Sequence, residues 1–182
     1  MPVYVAMLRG INVGPHKRIK MERLRASFEA MGFERVQTYI QSGNVVFKSG
    51  KISTEALSKK IEEKLSADFG FAIPVVSRTA DEMSAAVKNN PFLRERGIDV
   101  EKLHVMFLSD TPSPAGLKKL AEVTTPPEQA RCPAKEIYLY LPNGVAESGL
   151  MKANLERILG VVPTARNWKT VKELARMCGG CG

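Results

Sequence analysis

The strongest constraint on this chain is an order of hydrophobic patterns that comes round twice. Val3 to Leu8 is apolar on both alternating faces, as a central strand buried on both sides requires. A glycine-punctuated loop follows. An amphipathic helix is then predicted from about Met21 to Met31, with Met21, Leu24, Phe28 and Met31 on one face and Gly32 placed to end it in a left-handed cap. Val36 to Gln41 alternates as a strand, a tight turn falls at Ser42-Gly43 or Gly43-Asn44, and Val45 to Phe47 returns as the hairpin partner. Leu57, Ile61 and Leu65 mark a helix over about Thr54 to Ala67, and Phe71 to Val76 reads as the next strand. Strand, helix, strand, strand, helix, strand is the split βαβ arrangement of ferredoxin-like domains.

Thr79 and Glu82 then form a capping-box pattern that opens a further helix, and Asn89-Asn90-Pro91 stops it. A second cycle starts about 100 residues after the first. Leu103 to Leu108 is strand-like, Ser113-Pro114 looks like a cap and first turn, and Leu117, Leu120 and Ala121 continue a helix. Ile137 to Leu141 is a strong strand closed by Pro142-Asn143-Gly144. A helix is predicted from about Leu150 to Leu159, ending at Gly160, and Thr170 with Glu173 repeats the capping box ahead of the last helix. The expectation is an α+β protein of two ferredoxin-like halves with antiparallel sheets and helices packed on them: residues 1–90, a connection over 91–102, and residues 103–182.

Charge singles out the two ends. The net charge is +8, and residues 1–50 hold eight Lys/Arg against three acids while residues 151–182 hold six against two. The middle blocks are close to neutral. Clustered positive charge attracts phosphate-bearing partners, although a solvated basic face is the plainer explanation. Within the first block, Leu8-Arg9-Gly10-Ile11-Asn12-Val13-Gly14-Pro15 leads through Lys17 and Arg18 to Lys20 with no acid anywhere in the loop. A glycine-rich turn between strand and helix lets backbone N–H groups approach an anion. Its spacing matches neither the dinucleotide fingerprint nor the Walker pattern, so Gly10 and Gly14 serve either an anion or a tight connection.

Two further constellations have the same character. Thr164-Ala165-Arg166-Asn167-Trp168-Lys169-Thr170 sits just before the last helix and holds the only tryptophan, which suits phosphate binding with ring stacking, or else an Asn or Thr cap with Trp168 in the core. Gln41, Ser42 and Asn44 crowd amides and a hydroxyl into one hairpin turn, a composition that turns favour in any case. Signs of catalysis are few. His16 lies in the basic loop, His104 in a strand, and general acid–base chemistry would have to recruit Lys20, Tyr39 or a water. Cys178 and Cys181 have chelating spacing but too few companions for a metal site, and no metal or other cofactor is expected. Three cysteines without framework spacing, together with a short opening apolar run lacking preceding positive charge, point to a cytoplasmic protein with no membrane span.

The motifs also resemble a known family, the domain of unknown function 1697. The resemblance runs through Tyr4-Val5-Ala6-Met7-Leu8-Arg9-Gly10-Ile11-Asn12-Val13-Gly14, Lys20-Met21 and Tyr39-Ile40-Gln41-Ser42-Gly43-Asn44-Val45-Val46-Phe47, then Leu139-Tyr140-Leu141-Pro142-Asn143-Gly144 and Ala165-Arg166-Asn167-Trp168-Lys169-Thr170-Val171. It implies a bacterial-type α+β protein with ferredoxin-like subdomains and no known activity. Where the family pattern commonly reads Gly-Gly-Lys, this chain has Gly14-Pro15-His16-Lys17, which makes His16 a poor candidate for a family-wide catalytic base.

Three functional expectations follow in order. The first is a binding module in which the Arg9 to Lys20 loop, the Gln41 to Asn44 turn and the Arg166 to Lys169 segment converge into one cleft for a nucleic acid or nucleotide. The second is an enzyme using that cleft on a small phosphorylated or otherwise anionic substrate. The third is an interaction scaffold, a homodimer included, that presents Tyr138 and Tyr140.

Overall fold

The computed structural model describes residues 1–179, so Cys181 and any pairing of it with Cys178 lie outside the described residues. The chain forms two compact units: Met1–Ala85 with the segment starting at Glu173, and Ala86–Lys172. The first runs β1 (Val3–Leu8), α1 (Met21–Ala30), β2 (Glu34–Tyr39), β3 (Asn44–Lys48), α2 (Thr54–Phe69) and β4 (Val75–Thr79), followed by α3 (Ala80–Lys88). Its sheet has the order β2-β3-β1-β4 with every pairing antiparallel, which is the ferredoxin-like arrangement.

Local chemistry accounts for these elements. The Ser53 hydroxyl accepts from the Ala56 N–H to cap α2, and Gly70 ends that helix in the left-handed conformation. Leu24 and Phe28 of α1, with Leu57, Ile61 and Leu65 of α2, pack on one sheet face made of Tyr4, Ala6, Leu8, Val45, Phe47 and Val75. Phe33 stacks on Phe47 with ring centroids 4.5 Å apart. The alternate residues Val5, Met7, Val46 and Val76 are buried too, so the all-apolar β1 is central as its pattern requires. The strand expected over Phe71 to Val76 instead begins at Val75. Pro74 has no N–H for a ladder, and pairing starts where Val75 meets Leu8.

The second unit opens with two single 3₁₀ turns, Pro91–Arg94 and Val100–Lys102, within the segment expected as a connection. It continues with β5 (Leu103–Leu108), α4 (Pro114–Val123), β6 (Gln129–Arg131), β7 (Glu136–Tyr140), α5 (Gly149–Lys152), α6 (Leu155–Leu159), β8 (Pro163–Asn167) and α7 (Trp168–Met177). The strand order β6-β7-β5-β8 repeats that of the first sheet.

Three expectations need correction here. The helix expected over Leu150 to Leu159 is broken at extended Ala153, and Asn154 caps a separate α6 by accepting from the Arg157 N–H at 3.2 Å. The segment before the last helix is itself a strand, β8. And Thr170 does not open α7: its N–H donates to the Asn167 carboxamide oxygen at 2.8 Å, which makes Asn167 the cap and Trp168 the first helical residue.

Candidate functional site

The basic loop of the first unit is a projection held at its base from within. The Leu8 N–H donates to the Gly43 carbonyl at 2.8 Å and the Arg9 N–H to the Pro74 carbonyl at 3.0 Å, which ties the end of β1 to both neighbouring strands' turns. Ile11 and Ile19 are buried and act as the two feet of the loop. Between them Asn12, at φ 55°, organises the chain. Its carboxamide oxygen accepts from the Ile19 N–H at 2.8 Å, while its amide donates to the Ile19 carbonyl at 3.0 Å and the Gln41 carbonyl at 2.8 Å. Its own N–H donates to the Lys17 carbonyl at 3.1 Å. Val13, Pro15, His16, Lys17 and Arg18 are thereby held out in solvent, and Lys20 is exposed where α1 begins.

The hairpin turn is locked against this loop. Gly43 has φ 90°, and a Cβ there would lie 2.8 Å from Ile11 Cδ1 and 2.9 Å from Leu8 Cβ, so only glycine fits. Asn44 is fully buried, with its amide donating to the Tyr39 carbonyl at 2.9 Å and to the Ser42 hydroxyl at 3.0 Å. Ile40 sits at φ 50°, a conformation unfavourable for a β-branched residue, and remains exposed. Loop and turn therefore meet in one place. Within it, the amides of Asn12 and Asn44 hold backbone, and the cations Lys17, Arg18 and Lys20 face solvent. Arg9 and Ser42 are half-buried, and Gln41 is exposed. Gly14 is different from Gly43: its φ is not positive and a Cβ would meet nothing within 4 Å, so nothing in the described fold demands glycine there.

Arg166, Asn167 and Trp168 belong to the second unit. Arg166 lies in β8 rather than at a helix start, opposite Val105, and donates to the Ala165 carbonyl at 2.8 Å. It is 8% exposed, and burial lowers its pKa to about 10, which leaves it charged at neutral pH. Asn167 is occupied as the α7 cap, and Trp168 is buried. The first unit has a counterpart that sequence reasoning missed. Arg78 of β4 lies opposite Val5, is 3% exposed, and donates to the Ser77 carbonyl at 3.0 Å. The signal was present in Ser77-Arg78-Thr79-Ala80, which matches Ala165-Arg166-Asn167-Trp168 as strand, arginine, cap, helix. Ending the strand at Val76 hid it.

Burial pushes the Cys132 thiol up to about 11 and the Cys178 thiol up to about 12, away from the thiolate a nucleophile needs. His16 is exposed in the loop, while the pKa of His104 in β5 is lowered chiefly by burial. Tyr138 is a core residue whose hydroxyl donates to the Ala86 carbonyl at 2.8 Å, and Tyr140 is half-buried beside Phe92, so Tyr138 is not the exposed ring that a scaffold reading pictured. Among the described residues no three His, Cys, Asp or Glu side chains gather as a metal site, and no helix is long and apolar enough to cross a membrane. A cavity of about 440 Å³ between α4 and β6 is lined by Leu117, Leu120, Ala130 and Cys132, among others. Its polar side chains are occupied: Glu128 accepts from Ser148 and from the Gly149 N–H, and Arg131 pairs with Glu95.

Comparison with known proteins agrees with this architecture. The sequence matches the family described as "Protein of unknown function (DUF1697)" over residues 1–138. Among curated proteins, none matches it in sequence. Among solved structures, conserved bacterial protein SP0830 from Streptococcus pneumoniae is similar in fold, with a TM-score of 0.77 at 23% identity over 97% of this chain and 98% of that one.

Proposed function

The chain belongs to the DUF1697 family, and from that starting point we propose that it binds a phosphate-bearing partner, a nucleic acid or a nucleotide, through the Arg9 to Lys20 loop of its first unit. The observation that carries the reading is the combination of Lys17, Arg18 and Lys20 in solvent, no carboxylate within the loop, and a loop shape set internally by Asn12. Exposed cations keep their hydration until a partner arrives, and a preorganised loop loses little conformational entropy on binding. Gly14 adds support, because a glycine that neither φ nor packing requires leaves backbone open to close approach by a ligand. The +5 balance of residues 1–50 supplies the long-range attraction.

Fluorescence anisotropy with labelled oligonucleotides, alongside thermal shift with nucleotides, tests the proposal. The expected result is binding at low salt that weakens as salt rises. Lys17→Ala with Arg18→Ala should reduce the log–log salt slope by about 1.8. Absence of binding by every oligonucleotide and nucleotide at low salt would refute it, as would an unchanged slope in the double variant.

A further inference from the structure

The chemistry that the exposed surface lacks says which phosphate-bearing partner fits. Proteins that hold single-stranded nucleic acid place bases on aromatic rings, a contact that gains roughly tenfold or more per base. Here the described Phe, Tyr and Trp side chains are all buried or half-buried, and none is exposed. Phe28, Phe33 and Phe47 are committed to one another in the first core, and Tyr4 is hydrogen-bonded to Ile52 through its hydroxyl. The large apolar side chains that do reach solvent are aliphatic: Val13 and Ile40 beside the loop, with Met1, Leu93, Val100, Val123 and Val145 elsewhere.

Nor is the middle of the sheet surface open. Ferredoxin-like domains that bind RNA display stacking rings on the sheet face away from the helices. In the first unit the middle of that face carries Val5, Met7, Val46 and Val76, each at most 4% exposed, and its β2 edge carries exposed Gln37 and the half-buried ring of Tyr39. Apart from that half-buried edge ring, what remains for a partner is the projecting loop, with three ammonium or guanidinium groups and no Phe, Tyr or Trp of its own. Such a surface gains little from unstacked bases and most from dense phosphate. Duplex presents one charge per ~1.7 Å of axis from two strands.

We infer that the loop's partner is double-stranded nucleic acid, held by its phosphate backbone without base stacking and without sequence preference. This rests on the phosphate-binding reading above, and it extends that reading from phosphate in general to duplex in particular. DNA and RNA duplexes share the chemistry, so both are used. Tyr39, outside the loop and half-buried on the sheet face, is the ring that base stacking would use, which makes it the control: stacking would require it, and backbone contact does not.

The experiment measures anisotropy of the full chain with DNA and RNA duplexes of about 20 base pairs in three unrelated sequences, and with the matching single strands, at about 50 and 200 mM salt. Three cation contacts correspond to a duplex slope near −2.7, or a loss of about 40-fold across that range, against a slope near −2.1 for single strands. Duplex should bind more tightly than either of its strands, alike for all three sequences, and Tyr39→Leu should leave duplex affinity unchanged. The better of the DNA and RNA arms identifies the source. Single strands that bind as tightly as duplex, or a tenfold loss of duplex affinity in Tyr39→Leu, would overturn the inference while the loop still binds phosphate. No binding by either form, or no effect of Lys17→Ala with Arg18→Ala, would instead remove the phosphate-binding reading itself.

Discussion

Asn12 is the residue on which the loop turns, because three of its four side-chain and backbone hydrogen bonds come from one carboxamide. Asn12→Ala leaves the Ile19 N–H without its acceptor and strips the Gln41 carbonyl of its donor. It should destabilise the protein by about 1–3 kcal/mol in urea unfolding. Asn12→Asp keeps the acceptor but sets a carboxylate against two carbonyls, so it should rescue little of that loss. Gly43→Ala should be at least as severe, since the new methyl overlaps Leu8 and Ile11 at a positive φ. His104 gives a pH signature. Burial is the main cause of its lowered pKa, with the nearby Lys102 backbone opposing it and the Lys102 charge adding to it. Its Nδ1 is buried without a partner. Below its ordinary value of 6.5 the unfolded chain takes up the proton first, so stability falls as pH drops through 6.5 toward the lower folded value. His104→Leu should flatten that limb of a stability-against-pH curve, in a window above the one where carboxylates protonate.

At the scale of elements, the sequence was most legible where one face had to be apolar and the ends carried their own chemistry. The α2 spacing of Leu57, Ile61 and Leu65 placed the helix, and the Thr79–Glu82 capping box is present as both reciprocal hydrogen bonds. The misreadings have physical causes. Strand β6 has three residues, too few to show alternation; Pro74 shifts β4 toward Arg78; and Asn154 interrupts an apolar run that periodicity alone joins into one helix. The Arg9 to Lys20 loop was visible as acid-free and cationic, but the inward commitment of Asn12 and Asn44 was not, because an amide in a turn reads the same whether it faces a ligand or its own backbone. One packing detail was equally hidden. A Cβ on Gly116 of α4 would lie 3.2 Å from the Ile158 and Leu159 carbonyl oxygens of α6. The gain of ~1 kcal/mol that Gly→Ala brings in an open helix should therefore be absent in Gly116→Ala, and a thermal midpoint raised by several degrees would show that α6 yields freely.

For the whole molecule, two units share one strand order, and each sets a buried arginine opposite the middle of its first strand. Repetition of architecture has not been accompanied by repetition of surface. The first unit carries a projecting cationic loop after its first strand, whereas the corresponding link after β5, residues 109–113, is short and contains Asp110. That asymmetry is why the proposed partner binding falls on the first unit, the second having no equivalent loop. The measurement that tests it most directly is ¹H–¹⁵N chemical-shift mapping of the full chain during titration with a short duplex at low salt. Amide shifts concentrated in residues 9–20 and 40–44 are the expected result. Shifts clustered in the second unit, with the loop signals unmoved, would contradict it.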